Sequence, residues 1–432
     1  MIQHIKLSQI AIVVVVISLF ASITNFVPFS LTFLLLLLFV PYLIDRIPGN
    51  RMITALVILY LYFFTSTLIY NPTAFLNSTF YRRDGNFFIS FLPLLLTAKL
   101  NKNFHTEKIV RIFIYFLTII NILCMILPRI EVNPDNLIQL ENEKINHFLF
   151  AAHNAAGGFI SIALSLNIGM LFSNKPERKP VLLLCALVNF IALYDTDSRG
   201  SLLGFLLGIF VLMISINPVF AQKKRRRQDM ILFLGILIAS IFLISFFADE
   251  ETLNRTLGAT SFADRLGTIA ERMTILWPRA MEAFKESPIF GTGYGSYNDY
   301  PYCFSRIIPG LIAINDPSQY IYSDAHAHNT YLHVMAETGI IGLILLVILI
   351  WKMRDEIIQI DSKPLRIGLF IALQVNIYSS FTEHRFFTPS QMIPFMLVLG
   401  LALAENRGKR ERIVYNEISA YSPLFTDMKG NI

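Results

Sequence analysis

Long apolar stretches separated by short polar segments make up most of this chain. Each stretch approaches the roughly 20 residues that an α-helix needs to cross the hydrocarbon core of a bilayer. The pattern therefore predicts an all-α integral membrane protein with about 12 transmembrane helices. The first stretch is expected to remain an uncleaved helix, because a second one follows it almost at once. The predicted spans are 8–26, 29–44, 52–70, 86–100, 108–127, 147–172, 180–194, 201–219, 230–248, 331–351, 366–381 and 391–405.

One long polar segment, residues 249–330, interrupts this pattern between the ninth and tenth predicted spans. Loops of such length inside a compact protein are usually functional. A capping-box pattern at 261–264 and apolar residues at helical spacing as far as Phe284 predict an amphipathic helix that ends at Pro288. The predicted organisation is membrane helices one to nine over 1–248, the large loop over 249–330, helices ten to twelve over 331–405 and a tail over 406–432.

Lys and Arg residues concentrate in alternate polar segments, including the basic run at 223–227 and the tail. Cytoplasmic loops of membrane proteins carry an excess of these residues, so both termini are expected in the cytoplasm and the large loop outside. The net charge of +6 then reflects topology, and binding to nucleic acid is not needed to explain it. With 54% hydrophobic and 15% charged residues, the composition excludes a soluble protein of this length.

Two histidines and an asparagine, His326, His328 and Asn329, follow Asp324 where the tenth span begins. Alternate residues of an extended segment point the same way, so His326 and His328 could chelate a metal, although no third ligand is marked by spacing. The three scattered cysteines offer no metal site or disulfide framework. A structural histidine pair is a second interpretation. The favoured one is general acid–base chemistry, because histidine titrates near neutral pH.

Three arginines, Arg265, Arg272 and Arg279, recur every seven residues along the helix predicted in the large loop. Seven residues make nearly two helical turns, so the three guanidinium groups should form one stripe. One interpretation is a helix on the membrane surface whose arginines reach toward lipid phosphates. The other is that at least one arginine, with Arg272 preferred, binds a phosphorylated substrate in bidentate fashion.

A short polar turn, Asp195-Thr-Asp197-Ser198-Arg199-Gly200, separates the seventh and eighth predicted spans. One interpretation is a solvated turn. The other is an anion-binding site close to the membrane, because the turn contains the basic residue Arg199. Asp195 and Asp197 also resemble an Asp-x-Asp metal motif, but pairing between aspartate and arginine is the preferred interpretation. Weaker signals are the polar pair His153 and Asn154 inside the sixth span, and Glu383-His384-Arg385 in the turn before the last span.

Taken together, these motifs resemble the O-antigen ligase and O-antigen polymerase superfamily of bacterial envelope glycosyltransferases. The resemblance covers roughly residues 145–405, whereas the N-terminal third is similar in hydropathy alone. The matching pieces, in order, are the turn Thr196–Gly200, Glu271-Arg272 with Trp277 and Ala280, Pro288-Ile-Phe-Gly291-x-Gly293, His326-x-His328-Asn329, and Glu337-Thr-Gly339-x-x-Gly342.

The resemblance implies a GT-C-like membrane enzyme that transfers a glycan from undecaprenyl pyrophosphate to an acceptor at the periplasmic face of the bacterial inner membrane. In the ligase branch, which the His-x-His-Asn form favours, the acceptor is the lipid A–core oligosaccharide. The essential groups that the resemblance implies are Arg199 and Arg272 for the pyrophosphate and His328 as general base. It implies no cofactor and no metal, and the expected partners are the donor, the acceptor and membrane lipids.

The chemistry of these residue types is compatible with that reaction. Two arginines can stabilise the charge that develops on a leaving pyrophosphate, and a histidine can deprotonate an attacking sugar hydroxyl, which favours inversion. Glu383 or Asp324 could orient the imidazole, and lipid tails are expected near His153 and Asn154. An O-antigen polymerase, a protein O-oligosaccharyltransferase and a flippase for lipid-linked glycans stay open as alternatives.

Overall fold

In a computed structural model of the protein, the described residues fall into separate ranges, and the first 49 residues lie outside them. Three of the predicted spans, 8–26, 29–44 and 230–248, are also outside, together with most of the large loop. The described ranges are 50–76, 80, 86–98, 105–126, 130–133, 136–140, 153–173, 178–215, 272, 276–297 and 326–426.

Helices dominate these ranges, and each predicted span that falls within them contains helical residues. Short 3₁₀ turns occur at Pro72–Leu76 and Arg385–Phe387. The helices are α1 (Arg51–Tyr70), α2 (Asn86–Ser90), α3 (Leu92–Ala98), α4 (Thr106–Ile126), α5 (His153–Leu171), α6 (Lys179–Asp195), α7 (Arg199–Ile214), α8 (Trp277–Glu286), α9 (Thr330–Ile358), α10 (Lys363–Ser379) and α11 (Pro389–Thr426).

Four helices in the described part of the chain, α1, α4, α5 and α9, are long and apolar enough to cross a membrane. On α1, α4 and α9, large apolar side chains also face outward, among them Leu61, Ile126 and Trp351. Apolar groups on an outer surface suit a hydrocarbon solvent. The membrane-helix character is therefore confirmed, whereas the total of twelve spans and the domain boundaries stay predictions.

A two-stranded antiparallel hairpin adds to the predicted all-α class. Its strands are β1 (Ile130–Asn133) and β2 (Asn136–Leu140), with Ile130 opposite Leu140 and Asn133 opposite Asn136. Apolar and polar residues alternate along β1, and Pro and Asp, two residues that favour turns, stand between the strands in the sequence. The hairpin was not predicted, because its strands of four and five residues are too short to give a clear alternating pattern.

Helix α5 lies at the centre of the bundle and packs against α6, α7, α10 and α11. It is buried along most of its length, so both its polar and its apolar faces meet protein. Small residues permit the close approach that packing between membrane helices requires. The contact between α7 and α10 is an example. A Cβ atom at Gly204 of α7 would lie 3.0 Å from the carbonyl oxygen of Val375 on α10, and one at Gly208 would lie 3.1 Å from that of Ile371.

Helix α9 is interrupted at Gly339, whose φ of +62° and ψ of −165° are not helical. The segment after α8 fills this break. The amide of Gly293 donates to the carbonyl oxygen of Glu337 (2.8 Å), and the amide of Ile340 donates to that of Pro288 (2.9 Å). These bonds pair backbone groups that the interruption removes from the helical pattern. The kink therefore anchors the segment after α8, which belongs to the large loop, to a membrane helix.

Gly339→Ala should destabilise the protein, because the residue has positive φ and the added Cβ would overlap the carbonyl of Ile289. We expect a loss of roughly 1–3 kcal/mol in the free energy of unfolding. The measurement is the apparent melting temperature of the detergent-purified protein. Ile340→Ala is the matched control, since Ile340 lies next to Gly339 with 40% of its surface exposed. Equal melting temperatures for the two variants would contradict the close packing at the kink.

Candidate functional site

Glu383 joins two predicted site residues that are far apart in the sequence. It lies in the connection between α10 and α11, and its Oε1 accepts a hydrogen bond from a terminal guanidinium nitrogen of Arg272 at 3.0 Å. Its other oxygen, Oε2, lies 3.1 Å from Nδ1 of His328. The structure thus brings together Arg272, His328 and Glu383, and of the two carboxylates predicted to orient the imidazole, Glu383 or Asp324, it places Glu383 beside His328.

The start of α9 places His328 beside this carboxylate. Asn329 caps the helix, because its side-chain oxygen accepts bonds from the amides of Tyr331 (3.0 Å) and Leu332 (3.1 Å). Thr330 then bonds to the connection, with its hydroxyl donating to the carbonyl oxygen of Glu383 at 3.1 Å. His328 itself has a positive φ of 44°, an uncommon conformation for a residue with a side chain. Local helix capping therefore aims the imidazole at Glu383.

The surroundings of Glu383 keep its carboxylate charged. Burial disfavours the anion, but the hydrogen bond from His328 and the positive charges of Arg385 and Arg272 outweigh it and lower the pKa to about 2. An ionised carboxylate only accepts hydrogen bonds, so Nδ1 of His328 carries the proton in this pair. No described residue hydrogen-bonds to Nε2 of His328, whose side chain is 32% exposed. That nitrogen can therefore accept a proton from a substrate.

Three more histidines pack behind His328. The ring centroids of His326 and His328 are 4.2 Å apart, those of His326 and His384 are 5.1 Å apart, and those of His333 and His384 are 4.3 Å apart. Burial lowers the pKa of His326 to about 3, and burial holds the pKa of His384 well below its ordinary value. Lowered pKa values of this kind favour the neutral form of both rings.

The histidine pair does not extend into a metal centre within the described residues. His326 uses Nδ1 to accept the backbone amide of His328 at 3.3 Å, which is a structural role. Across the described part of the chain, no group of three or more His, Cys, Asp or Glu side chains is arranged to hold a metal ion. Among the described residues, His326 thus supports the backbone at His328.

The turn that carries Arg199 packs against the connection that holds Glu383. Arg199 is half exposed, and its Nε lies 3.4 Å from Oδ1 of Asp197, as the preferred pairing of aspartate with arginine predicts. Gly200 faces the connection before α11, where an added Cβ would lie 2.6 Å from Oγ1 of Thr382 and 3.5 Å from Cγ of Glu383. Arg199 therefore lies at the rim of the site, with its guanidinium accessible to an anion.

The remaining predicted site residues lie in different surroundings. Arg279 is only 3% exposed, and its guanidinium lies over the ring of Tyr297 at 4.9 Å, so it neither reaches toward lipid nor lines the site. Asn154 contacts the Arg199 turn, because its Oδ1 accepts a bond from the hydroxyl of Ser198 at 3.0 Å. His153, half buried, is the first residue of α5. Arg265, Asp324 and the first part of the predicted amphipathic helix lie outside the described residues.

Two residues next to Glu383 were not among the predicted site residues, although both contribute to it. His384 and Arg385 are 4% and 2% exposed, respectively, and follow Glu383 directly. The signal was present in the sequence as three consecutive polar residues between two apolar helices. Only packing reveals that these side chains turn inward, because a polar turn between membrane helices is ordinarily solvated.

A family model described as O-antigen ligase matches residues 181–347 of this chain. The match contains Arg199, Arg272 and His328, whereas Glu383 follows it.

Three curated proteins are similar to parts of the chain. A putative polysaccharide ligase of Rickettsia conorii is 25% identical over 225 residues, which are 51% of this chain and 49% of that protein. Another, of Rickettsia felis, is 27% identical over 220 residues, 48% of this chain and 47% of that protein. The exopolysaccharide production protein ExoQ of Rhizobium meliloti is 28% identical over 128 residues, 29% of this chain and 28% of that protein. The chain thus spans half or less of these relatives' lengths, and its resemblance to the O-antigen ligase superfamily is confirmed.

The buried neutral state of His384 predicts a pH-dependent stability. Its pKa is lowered in the folded protein, so below about pH 6.5 the unfolded chain binds a proton that the folded chain does not. Stability should therefore fall as the pH falls. His384→Gln should weaken this dependence by roughly 1 kcal/mol per pH unit below that point.

The measurement is the apparent melting temperature of the purified protein at pH 7.5, 6.5 and 5.5. His105→Gln, at an exposed position before α4, is the control. If the wild type and His384→Gln lose stability in parallel across this range, the neutral buried state of His384 is refuted.

Proposed function

We propose that the protein is a membrane glycosyltransferase that moves a glycan from a polyprenyl-pyrophosphate-linked donor onto an acceptor hydroxyl. The observation that carries this proposal is the constellation of His328, Glu383 and Arg272, with Arg199 at its rim. It combines a candidate base, a carboxylate that orients it and two cations for an anionic leaving group. The similarity to O-antigen ligases supports a lipid-linked glycan as the donor.

His328 acts as the general base in this proposal. Glu383 accepts a hydrogen bond from the N–H at Nδ1, so Nε2 keeps its lone pair for the incoming proton. As the acceptor oxygen attacks the anomeric carbon, its proton passes to Nε2, and the bond between that carbon and the pyrophosphate oxygen breaks. Glu383 stabilises the imidazolium that forms. One direct displacement of this kind inverts the configuration at the anomeric carbon.

Arg272 and Arg199 stabilise the leaving pyrophosphate. The guanidinium of Arg272 uses one nitrogen to bind Glu383, and among the described residues none hydrogen-bonds to its other donors, which can bind phosphate oxygens. Arg199 adds a second, half-exposed guanidinium, whose Nε lies 3.4 Å from Oδ1 of Asp197. Charge that develops on the leaving oxygen is best stabilised by groups already fixed in place. Two such cations supply this stabilisation through the protein's own side chains.

Within this class, we assign the finer roles as follows. The donor is undecaprenyl-pyrophosphate-linked O-antigen, the acceptor is the lipid A–core oligosaccharide, and the site faces the periplasm of the inner membrane. A polymerase or a protein O-oligosaccharyltransferase would use the same chemistry with another acceptor. A flippase would need the arginines but not a histidine oriented by a carboxylate, so the His328–Glu383 pair favours an enzyme.

His328→Ala should reduce glycan transfer by about 10²–10⁴-fold, because general-base catalysis contributes factors of that size. The measurement is the transfer of glycan from the lipid-linked donor to lipid A–core by the purified protein. His105→Ala, at an exposed position, is the control and should retain activity. In cells, His328→Ala should still make polymerised glycan, but a gel should show that this glycan is absent from lipopolysaccharide. Full transfer by His328→Ala would exclude it as the base.

Arg272→Lys should lower kcat/KM for the donor by about 10²-fold, as removal of one preorganised donor does in comparable sites. Lysine keeps the positive charge, and with it an ion pair to Glu383, but it loses the planar fork that binds phosphate. The rate is measured against donor concentration. Arg178→Lys, an exposed arginine before α6, is the matched control. An unchanged kcat/KM for Arg272→Lys would mean that the arginine does not bind the leaving group.

A further inference from the structure

Arg385 is a fully buried cation in the immediate neighbourhood of the site, and the proposed mechanism does not use it. Its residue is only 2% exposed, in the 3₁₀ turn two residues after Glu383. Burying a guanidinium in a low-dielectric interior is costly unless its donors meet acceptors with good geometry. The contacts of Arg385 therefore indicate which structural role this buried guanidinium has.

The guanidinium of Arg385 reaches two helices remote in sequence. One terminal nitrogen donates to the backbone carbonyl of Asn154 at 2.6 Å. The other donates to the hydroxyl of Ser201 at 2.9 Å and to that of Ser198 at 3.3 Å. The hydroxyl of Ser198 also lies 2.9 Å from that of Ser201 and bonds to Asn154. One side chain thus connects the start of α5, the start of α7 and the connection that holds Glu383.

Glycines make the space for this arrangement. A Cβ at Gly158 would lie 2.9 Å from a terminal nitrogen of Arg385, and one at Gly157 would overlap the side chain of Ser198. On the other side, Gly200 brings the backbone of α7 against Thr382. Any side chain at these positions would push apart the elements that Arg385 joins. The space beside Gly157 and Gly158 therefore accommodates the planar guanidinium of Arg385 and its partner Ser198.

Ser198 and Ser201 flank Arg199 in the sequence, so the contacts of Arg385 fix the backbone on both sides of that residue. We propose that Arg385 is a positioning residue that holds the Arg199 turn at a set distance from the Glu383–His328 pair. This positioning role rests on the proposed function, in which Arg199 binds the pyrophosphate. Arg385 does not touch the substrate. It determines where the anion-binding group stands relative to the base.

A double-mutant cycle tests this role through binding rather than turnover. The probe is undecaprenyl pyrophosphate, and its Kd is measured on the purified full-length protein in detergent. Arg385→Lys keeps the charge but loses the planar fork that reaches both helices, so it should weaken binding by about 10-fold. Arg199→Gln should weaken binding by at least as much. The double variant should bind no more weakly than Arg199→Gln alone, because Arg385 acts through Arg199.

Two further variants keep the test decisive. Arg111→Lys replaces another buried arginine, which pairs with Glu107 on its own helix, and should leave the Kd unchanged. Ser201→Ala removes one contact from the opposite side, so it gives the same non-additivity with Arg199→Gln even where Arg385→Lys fails to fold. Weakening factors that multiply in the double variants would overturn the positioning role.

Failure of the proposed function gives a different result. A wild-type protein that does not bind the probe, or a His328→Ala variant that still transfers glycan, contradicts the proposed function itself. Binding by the wild type, loss of transfer in His328→Ala and multiplicative effects of Arg385 and Arg199 contradict only the positioning role.

Discussion

Glu383 carries a negative charge in a place that little water reaches, and the organisation of the site follows from compensating that charge. A buried carboxylate that lost its partners would take up a proton or destabilise the fold. Here the partners are the imidazole of His328 and the guanidinium of Arg272, one on each oxygen. These come from the start of α9 and from the large loop. One electrostatic requirement thus joins a membrane helix, a loop and the turn before α11.

The bundle meets this requirement by placing its close helix contacts next to the site. Gly200, Gly204 and Gly208 follow one another at intervals of four residues on α7, and each faces α10 or the connection after it. In a membrane, where apolar side chains gain little by avoiding lipid, such close contacts and interhelical hydrogen bonds hold helices together. The same packing carries Arg199 toward Glu383. Stability of the bundle and geometry of the site therefore rest on one interface.

A second coupling runs through the kink of α9. The segment after α8 donates and accepts backbone hydrogen bonds on both sides of Gly339. The amide of Tyr297, in that segment, bonds to Glu337, and its hydroxyl bonds to the carbonyl of Leu276 beside α8. The large loop is thereby fastened to the helix whose start carries His328. The segment that follows Arg272 in the loop, from Leu276 to Tyr297, is thus joined to the same helix.

The sequence by itself determined the membrane-helix character, the approximate helix positions in the described part of the chain and the residue types of the site. Those properties follow from local composition, because apolar length and capping signals act over a few residues. It also singled out His328, Arg272, Arg199 and Glu383. It left Glu383 and Asp324 open as partners of His328, and it did not reveal that Glu383 also binds Arg272, that Arg279 is buried against Tyr297, or that Arg385 lies within the protein. Partners in these contacts are up to 231 residues apart in the chain, as Arg385 and Asn154 are. Only the packing of α5, α7, α9 and the turn before α11 decides which polar groups meet, because a buried charge finds its partner by proximity in space and not in sequence.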